Sequence, residues 1–251
     1  MMGRGLTLYP AIDLKDGKAV RLRRGEMAEA TVYSDAPENV GKGFAAAGCE
    51  WLHVVDLDGA FAGKAVNGAA VRAIVRVAKV GAAEVKVQLG GGIRDIAAIE
   101  GWLAAGVARV ILGSAAVKAP ELVRASCRLF PGRVAIAIDA REGMIAAEGW
   151  AETTEIAAGE LALRFEDAGA AALIYTDIGR DGMLGGLDIE RTLSLARSVR
   201  TPVIASGGVG GIEDLRTLRE KAEGSLVGVI VGRALYDGRV GLAEALDVLG
   251  R

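Results

Sequence analysis

Histidine is nearly absent from this sequence. The one histidine, His53, has only two cysteines to join it, Cys49 and Cys127, and neither has a CxxC partner, so a zinc site is close to excluded. A Ser-His-Asp triad would have to run through His53, and no GxSxG accompanies it. Two isolated cysteines in alanine-rich, helix-like stretches do not make a disulfide framework. They fit a reduced compartment and are expected to pack as small apolar residues. An excess of charge is missing too: 30 basic residues against 32 acidic ones leave a net charge of −2, which argues for neither a nucleic-acid surface nor a membrane-binding patch. No apolar run approaches the roughly 20 residues of a membrane span. The opening "MMGRGLTLYPAIDL" has no basic segment followed by an apolar helix, so no signal peptide is expected. The expectation is a cytoplasmic monomer without metal or cofactor, and without a nucleic-acid or membrane partner.

What is present is apolar and periodic. At 51% hydrophobic over 251 residues, the chain can bury a sizeable core. Eight short runs read as strands: "LTLYPAID" from Leu6, "WLHVVDL" from Trp51, "EVKVQLG" from Glu84, "ARVILGS" from Ala108, "RVAIAID" from Arg133, "AALIYTD" from Ala171, "PVIASGG" from Pro202 and "VGVIVGR" from Val227. Most are apolar on consecutive residues, as strands covered on both faces are. Between them lie helix-like segments such as Ala36–Gly48, Asp95–Gly106, Thr154–Gly169 and Glu213–Ala222. Eight βα units in a chain of this length predict a (β/α)8 TIM barrel. No linker or low-complexity tract divides it, so residues 1–251 are expected to be one domain.

The sequence also repeats itself. "AIDLKDG" returns as "AIDAREG", "VVDLDG" as "YTDIGRDG", "GGGI" as "SGGV" and "ILGSAAV" as "IVGRALY", in the same order and at about half the chain length. The simplest reading is two similar half-barrels, approximately 1–128 and 129–251. Gly91 and Gly92 with Gly113 and Ser114 in one half, and Gly207 and Gly208 with Gly232 and Arg233 in the other, follow strands and precede helices. Arg94 follows the first glycine pair. Glycines let backbone N–H groups close on a ligand, and a helix start adds partial positive charge, so each set predicts an anion cradle. Two cradles on opposite sides of one barrel mouth imply a small-molecule ligand with a phosphate at each end.

Asp13 closes the first strand and Asp139 the fifth, which are diametrically opposed in an eight-strand barrel. Carboxylates at a dry rim beside ligand phosphates have raised pKa values, which suits proton transfer near neutral pH. Asp181 lies in a glycine-rich loop after the sixth strand, beyond Thr176 and Asp177, and could reach over the mouth. Asp56, Asp58 and Asp177 read better as cap or turn residues. Proton transfer between carboxylates on a sugar phosphate, of the aldose–ketose type, is the economical chemistry.

Together, "PAIDLKDGKAVRL", "HVVDLDGA", "GGGIR", "TDIGRDG", "ASGGV" and "GVIVGRALY" resemble the phosphoribosylformimino-5-aminoimidazole carboxamide ribotide isomerases of histidine biosynthesis, from about Leu6 to the end. The related cyclase subunit of imidazole glycerol phosphate synthase shares the half-barrel pattern, but "AID" and "HVVDLDGA" read as the isomerase. The resemblance implies a cofactor-free Amadori rearrangement of an N-substituted aminoaldose carrying two ribose phosphates. It implies Asp13 as the base at C2 and Asp181 as the acid that opens the ring. Asp139 would position substrate beside Thr176, Arg21 on a long first loop would cover one phosphate, and Trp150 would stack on the aminoimidazole. Two departures stand out: Met183 replaces a usual threonine, and Glu148 stands where bifunctional relatives carry an arginine. A glutamate would repel the carboxylate of phosphoribosyl anthranilate, so a single activity is expected, with the bifunctional enzyme as the alternative. A non-catalytic bisphosphate-binding barrel would have lost an aspartate. A Schiff-base aldolase would need a strand-end lysine, and Lys86 is mid-strand. His53, early in its strand, is expected to be a core residue away from the rim.

Overall fold

The computed structural model describes residues 5–23, 26–79, 84–147, 150 and 152–250. The chain runs through β1 (Thr7–Lys15), β2 (Lys18–Arg23), β3 (Glu26–Ser34), α1 (Pro37–Ala46), β4 (Trp51–Asp56), α2 (Leu57–Ala62), α3 (Gly68–Ala78), β5 (Lys86–Gly90), α4 (Ile96–Ala104) and β6 (Arg109–Leu112). It continues through α5 (Ser114–Lys118), α6 (Pro120–Leu129), β7 (Val134–Arg141), β8 (Met144–Ala147), β9 (Glu152–Ala157), α7 (Ala158–Arg164) and β10 (Ala172–Asp177). It closes with α8 (Ile189–Ser198), β11 (Val203–Ser206), α9 (Ile212–Ala222), β12 (Leu226–Val231), α10 (Arg233–Tyr236) and α11 (Leu242–Leu249).

Eight of these strands pair in parallel in the order β1-β4-β5-β6-β7-β10-β11-β12, and β12 returns to β1, closing a (β/α)8 barrel. Closure leaves no open edge in the ring. β7 stands four strands from β1 in either direction, so Asp13 and Asp139 face each other across the mouth. The strands are buried on both faces, which is why they read as unbroken apolar runs. The larger core lies between barrel and helices, around Ile12, Leu52, Leu89, Ile136 and Leu173. A smaller cluster that mixes Ala11, Ala135 and Ala172 with Tyr9, Ile174 and Ile204 fills the barrel itself. Some helices start where the sequence provides an acceptor or proline: Asp95 caps α4 through the Ala98 amide at 2.7 Å, Asp188 caps α8 through Arg191, and Pro37 opens α1. Among the described residues, no helix is long and apolar enough to cross a membrane.

The structure corrects two expectations. The long first loop is a β-hairpin, β2–β3, and a second hairpin, β8–β9, occupies the same place in the other half. Both begin at two-residue turns with left-handed backbone, Asp16–Gly17 (φ 50° and 76°) and Glu142–Gly143 (φ 53° and 87°), the pattern of a type I′ hairpin turn. The helix expected from Thr154 starts only at Ala158, because Glu152–Ala157 pairs with β8 instead. Half of that segment is β-branched, Thr153, Thr154 and Ile156, so local propensity and pairing with β8 both favour a strand there.

Candidate active site

A cavity of about 260 Å³ opens at the C-terminal ends of the barrel strands. It gathers the candidate residues from strands, loops and hairpins that are far apart in the chain. Asp13, Asp139, Asp181 and Thr176 line its centre, with Arg21 and Trp150 reaching in from the two hairpins. Gly91, Gly92, Arg94, Gly113 and Ser114 line one side, and Gly207, Gly208, Gly232 and Arg233 the other.

The two glycine sets match in backbone conformation and in what surrounds them. Gly91 and Gly92 have φ of 100° and 72°, and Gly207 and Gly208 have 88° and 98°. A Cβ on Gly91 would strike the backbone of Asp56, and one on Gly207 the backbone of Asp177. Left-handed backbone and close approach therefore both require glycine at these turns. Gly113 (φ −102°, ψ −93°) and Gly232 (φ −104°, ψ −106°) also share one conformation, each preceding a short helix that lacks a side-chain cap. Asp56 and Asp177, which the sequence suggested as turn residues, are buried and hold the turns that follow them. Asp56 accepts from the Gly59, Val66 and Asn67 amides, and Asp177 from that of Gly179.

The three central carboxylates have different surroundings. Asp13 Oδ2 lies 2.5 Å from Nη1 of Arg21, and the pair is mostly shielded from water. Arg21 also donates to the Ala11 carbonyl and stacks 4.7 Å above the Tyr236 ring. Its side chain belongs to strand β2 and its guanidinium rests against Gly232; in this structure it is ion-paired at the cavity centre. Asp139 accepts from Nε1 of Trp150 at 2.9 Å and from the Thr176 hydroxyl. Burial raises its pKa, and those two hydrogen bonds oppose the rise. Trp150 is held there at φ 76°, a left-handed conformation that non-glycine residues seldom adopt.

Asp181 is the most perturbed of the three. Burial pushes its pKa up to about 7, with repulsion from Asp13 and Asp139 adding to the rise and Arg21 and the Gly182 amide opposing it. Its loop folds back on β10: the Arg180 and Asp181 amides donate to the Asp177 carbonyl at 3.1 and 3.0 Å. The group can therefore give up a proton near neutral pH, flanked by two further carboxylates.

Two arginines sit beside the glycine sets. Arg94 donates to the Ala60 carbonyl at 3.4 Å and lies against Gly63. Arg233 donates from Nη1 to the Gly182 carbonyl and from Nε to Asp237, both at 2.9 Å. Glu148 lies outside the described residues. Met183, half-buried, follows Gly182 in the acid loop.

The expectation for His53 needs correction, because it faces the cavity from below. Gln88 Nε2 sits 2.9 Å from its Nδ1, and Arg109 donates twice to Gln88 Oε1. Arginine has only donors, so Gln88 must offer its NH2 to Nδ1, and the imidazole proton sits on Nε2. Burial, with Arg21 and Arg109 nearby, lowers the His53 pKa to about 3 and keeps the ring neutral. No local motif marked these partners, which come from three strands. Among the described residues, no group of three or more His, Cys, Asp or Glu could hold a metal ion.

Fold and site thus define a class: a (β/α)8 barrel whose duplicated glycine turns flank a cluster of aspartates. A family described as histidine biosynthesis protein matches residues 7–241. Curated relatives include a protein of Rhodospirillum rubrum, 59% identical over 97% of this chain and 99% of its own length. Others come from Granulibacter bethesdensis, at 60% over 97% and 98%, and from a Jannaschia species, at 58% over 97% and 100%. All three are named 1-(5-phosphoribosyl)-5-((5-phosphoribosylamino)methylideneamino) imidazole-4-carboxamide isomerase. The chain belongs to this histidine biosynthesis family, in its isomerase branch.

Proposed function

We propose that the chain catalyses the Amadori rearrangement for which its relatives are named, turning the phosphoribosylamino end of a doubly phosphorylated substrate into an aminoketose. The observation that carries this reading is the cavity itself, with matched glycine turns on both sides and three carboxylates between them. The glycine turns bind the two phosphates through backbone N–H groups, with Arg94 and Arg233 adding positive charge at either end. Trp150 stacks on the imidazole, and Asp139 and Thr176 orient the ribose.

Asp181 donates its proton to the ring oxygen as the C1–O bond opens, leaving an iminium. Asp13 takes the C2 proton, and the electron pair of that C–H bond neutralises the iminium. The resulting enaminol tautomerises to the ketose as its hydroxyl proton leaves and C1 is protonated. Electrons balance within the substrate, so the scheme uses no cofactor. Asp181 must be protonated to act, so the rate should fall as pH rises through about 7.

Turnover of the histidine-pathway aminoaldose by the wild type, Asp13→Asn and Asp181→Asn tests the scheme. Each substitution should lower kcat by about 10²-fold or more, with weaker effects on binding. Near-normal turnover by Asp13→Asn would remove it as the base.

A further inference from the structure

Asp237, outside the cavity lining, links two elements of the mouth. One of its oxygens, Oδ2, receives Nε of Arg233 at 2.9 Å. The other, Oδ1, receives the Tyr33 hydroxyl at 2.5 Å, from a residue 204 positions away on the first hairpin. Arg233 then reaches onward, its Nη1 donating at 2.9 Å to the carbonyl of Gly182, the residue after Asp181. Tyr33 packs on Tyr236 with ring centroids 4.9 Å apart, and Tyr236 in turn carries the guanidinium of Arg21. Asp237 therefore has one arm to the loop that holds Asp181 and one to the hairpin that holds Arg21 against Asp13.

A planar guanidinium suits this geometry. Nε and Nη1 point in divergent directions and grip two acceptors at once, leaving the rest of the fork for a phosphate oxygen. A lysine at 233 would supply one charged point and could not hold Asp237 and Gly182 in the same fixed plane. The Tyr33 hydrogen bond and the Arg233 cation also keep the Asp237 carboxyl below its ordinary range, so it remains an acceptor for both arms near neutral pH.

We propose that Asp237 is a positioning residue for the reaction: through Arg233 it fixes the carbonyl beside Asp181, and through Tyr33 it fixes the hairpin, setting acid and base relative to each other from one carboxylate. This rests on the reading of Asp181 as the acid. The charged groups facing Asp181 are Asp13, Asp139 and Arg21, with Arg233 and Arg180 flanking its loop; those facing Asp237 are Tyr33, Arg233 and Arg239.

The test compares wild type, Asp237→Asn, Asp237→Glu and Tyr33→Phe in kcat, KM and the pH dependence of kcat/KM, corrected for folded fraction. Asp237→Asn should lower kcat by about tenfold and change KM by less than about threefold. A released loop lets water reach Asp181 and lowers its pKa, so the alkaline limb should move to lower pH by at least half a unit. Asp237→Glu should recover part of the rate, and Tyr33→Phe, which cuts only the hairpin arm, should slow the enzyme without moving that limb. Wild-type kcat and an unmoved limb in Asp237→Asn would overturn the proposal, as would a loss wholly accounted for by unfolded protein. Asp181→Asn run alongside separates the two readings. If it retains near-wild-type turnover the acid assignment fails, whatever Asp237→Asn does; if it is inactive and Asp237→Asn is normal, only the positioning role fails.

Discussion

Hairpin β2–β3 lays a cation on Asp13, whereas hairpin β8–β9 lays a neutral indole donor on Asp139. The two aspartates occupy matching strand ends, follow the same Ala-Ile pair and sit above the same type of turn, yet one is ion-paired and the other has its charge disfavoured by burial. The turns beneath them also differ in the hydrogen bonds that hold them. The β1–β2 turn that leads into the first hairpin is clamped from outside, with the Asp16 amide on Asp58 at 2.8 Å and the Gly17 amide on Asn67 at 2.7 Å. In the second half, Gly143 accepts only a backbone bond from Ala158 at that place, among the contacts of the described residues. The positive charge near the glycine turns has likewise shifted along the repeat: Arg94 corresponds to Gly210, and Ser114 to Arg233. The two halves thus share their backbone turns and differ in the side chains that reach them, which leaves the two matching carboxylates in unequal surroundings.

The sharpest way to break this contrast is at the hairpin side chains. Arg21→Met should cut kcat/KM by about 10²-fold, since it strips Asp13 of its partner inside a dry site. Trp150→Phe keeps an aromatic face and removes only the Nε1 donor, so its loss should stay within about tenfold. Equal losses in steady-state assays would show that the two hairpins are interchangeable in effect. The clamp gives a smaller and purely first-half effect. Asn67→Ala removes acceptor and donor from a buried network with Asp56 and Asp58 and should cost about 1–3 kcal/mol. Thermal unfolding would register this as a melting temperature lower by several degrees. The last effect concerns Asp181 and depends on pH. Its folded pKa lies above the unfolded value, so the folded state binds the extra proton and stability falls as pH rises from about 4 to about 7. Asp181→Asn should therefore raise the melting temperature by a few degrees at pH 8 and leave it unchanged at pH 4; a fall at pH 8 would contradict the assigned burial.

The barrel was legible because its strands are covered on both faces and carry unbroken apolar runs such as Leu173–Tyr175, and because the glycine turns recur. The hairpins were not read, although Asp16–Gly17 is a standard hairpin turn and Ala19–Leu22 is β-prone, since residues 29–34 of β3 are all exposed or half-buried and polar and apolar residues mix there without a clear period. Asp13, Asp139, Thr176 and the glycine pairs were nameable from motifs at strand ends and Asp181 from its loop, whereas Arg21 and Trp150 came from the family resemblance and Tyr33 and Asp237 were not named. Contacts between distant segments were not: the ion pair of Arg21, the Gln88–Arg109 support of His53 and the Tyr33–Asp237 bond depend on strand register and side-chain reach.

The glycine turns also have a consequence for selectivity. They hang from opposite staves of a closed, hydrogen-bonded ring, so the span between them is a fixed gauge that side-chain motion cannot stretch. On the proposed reading, a sugar with a single phosphate would dock at one end only and slide relative to the aspartates, while a molecule of the right length would be measured at both tips.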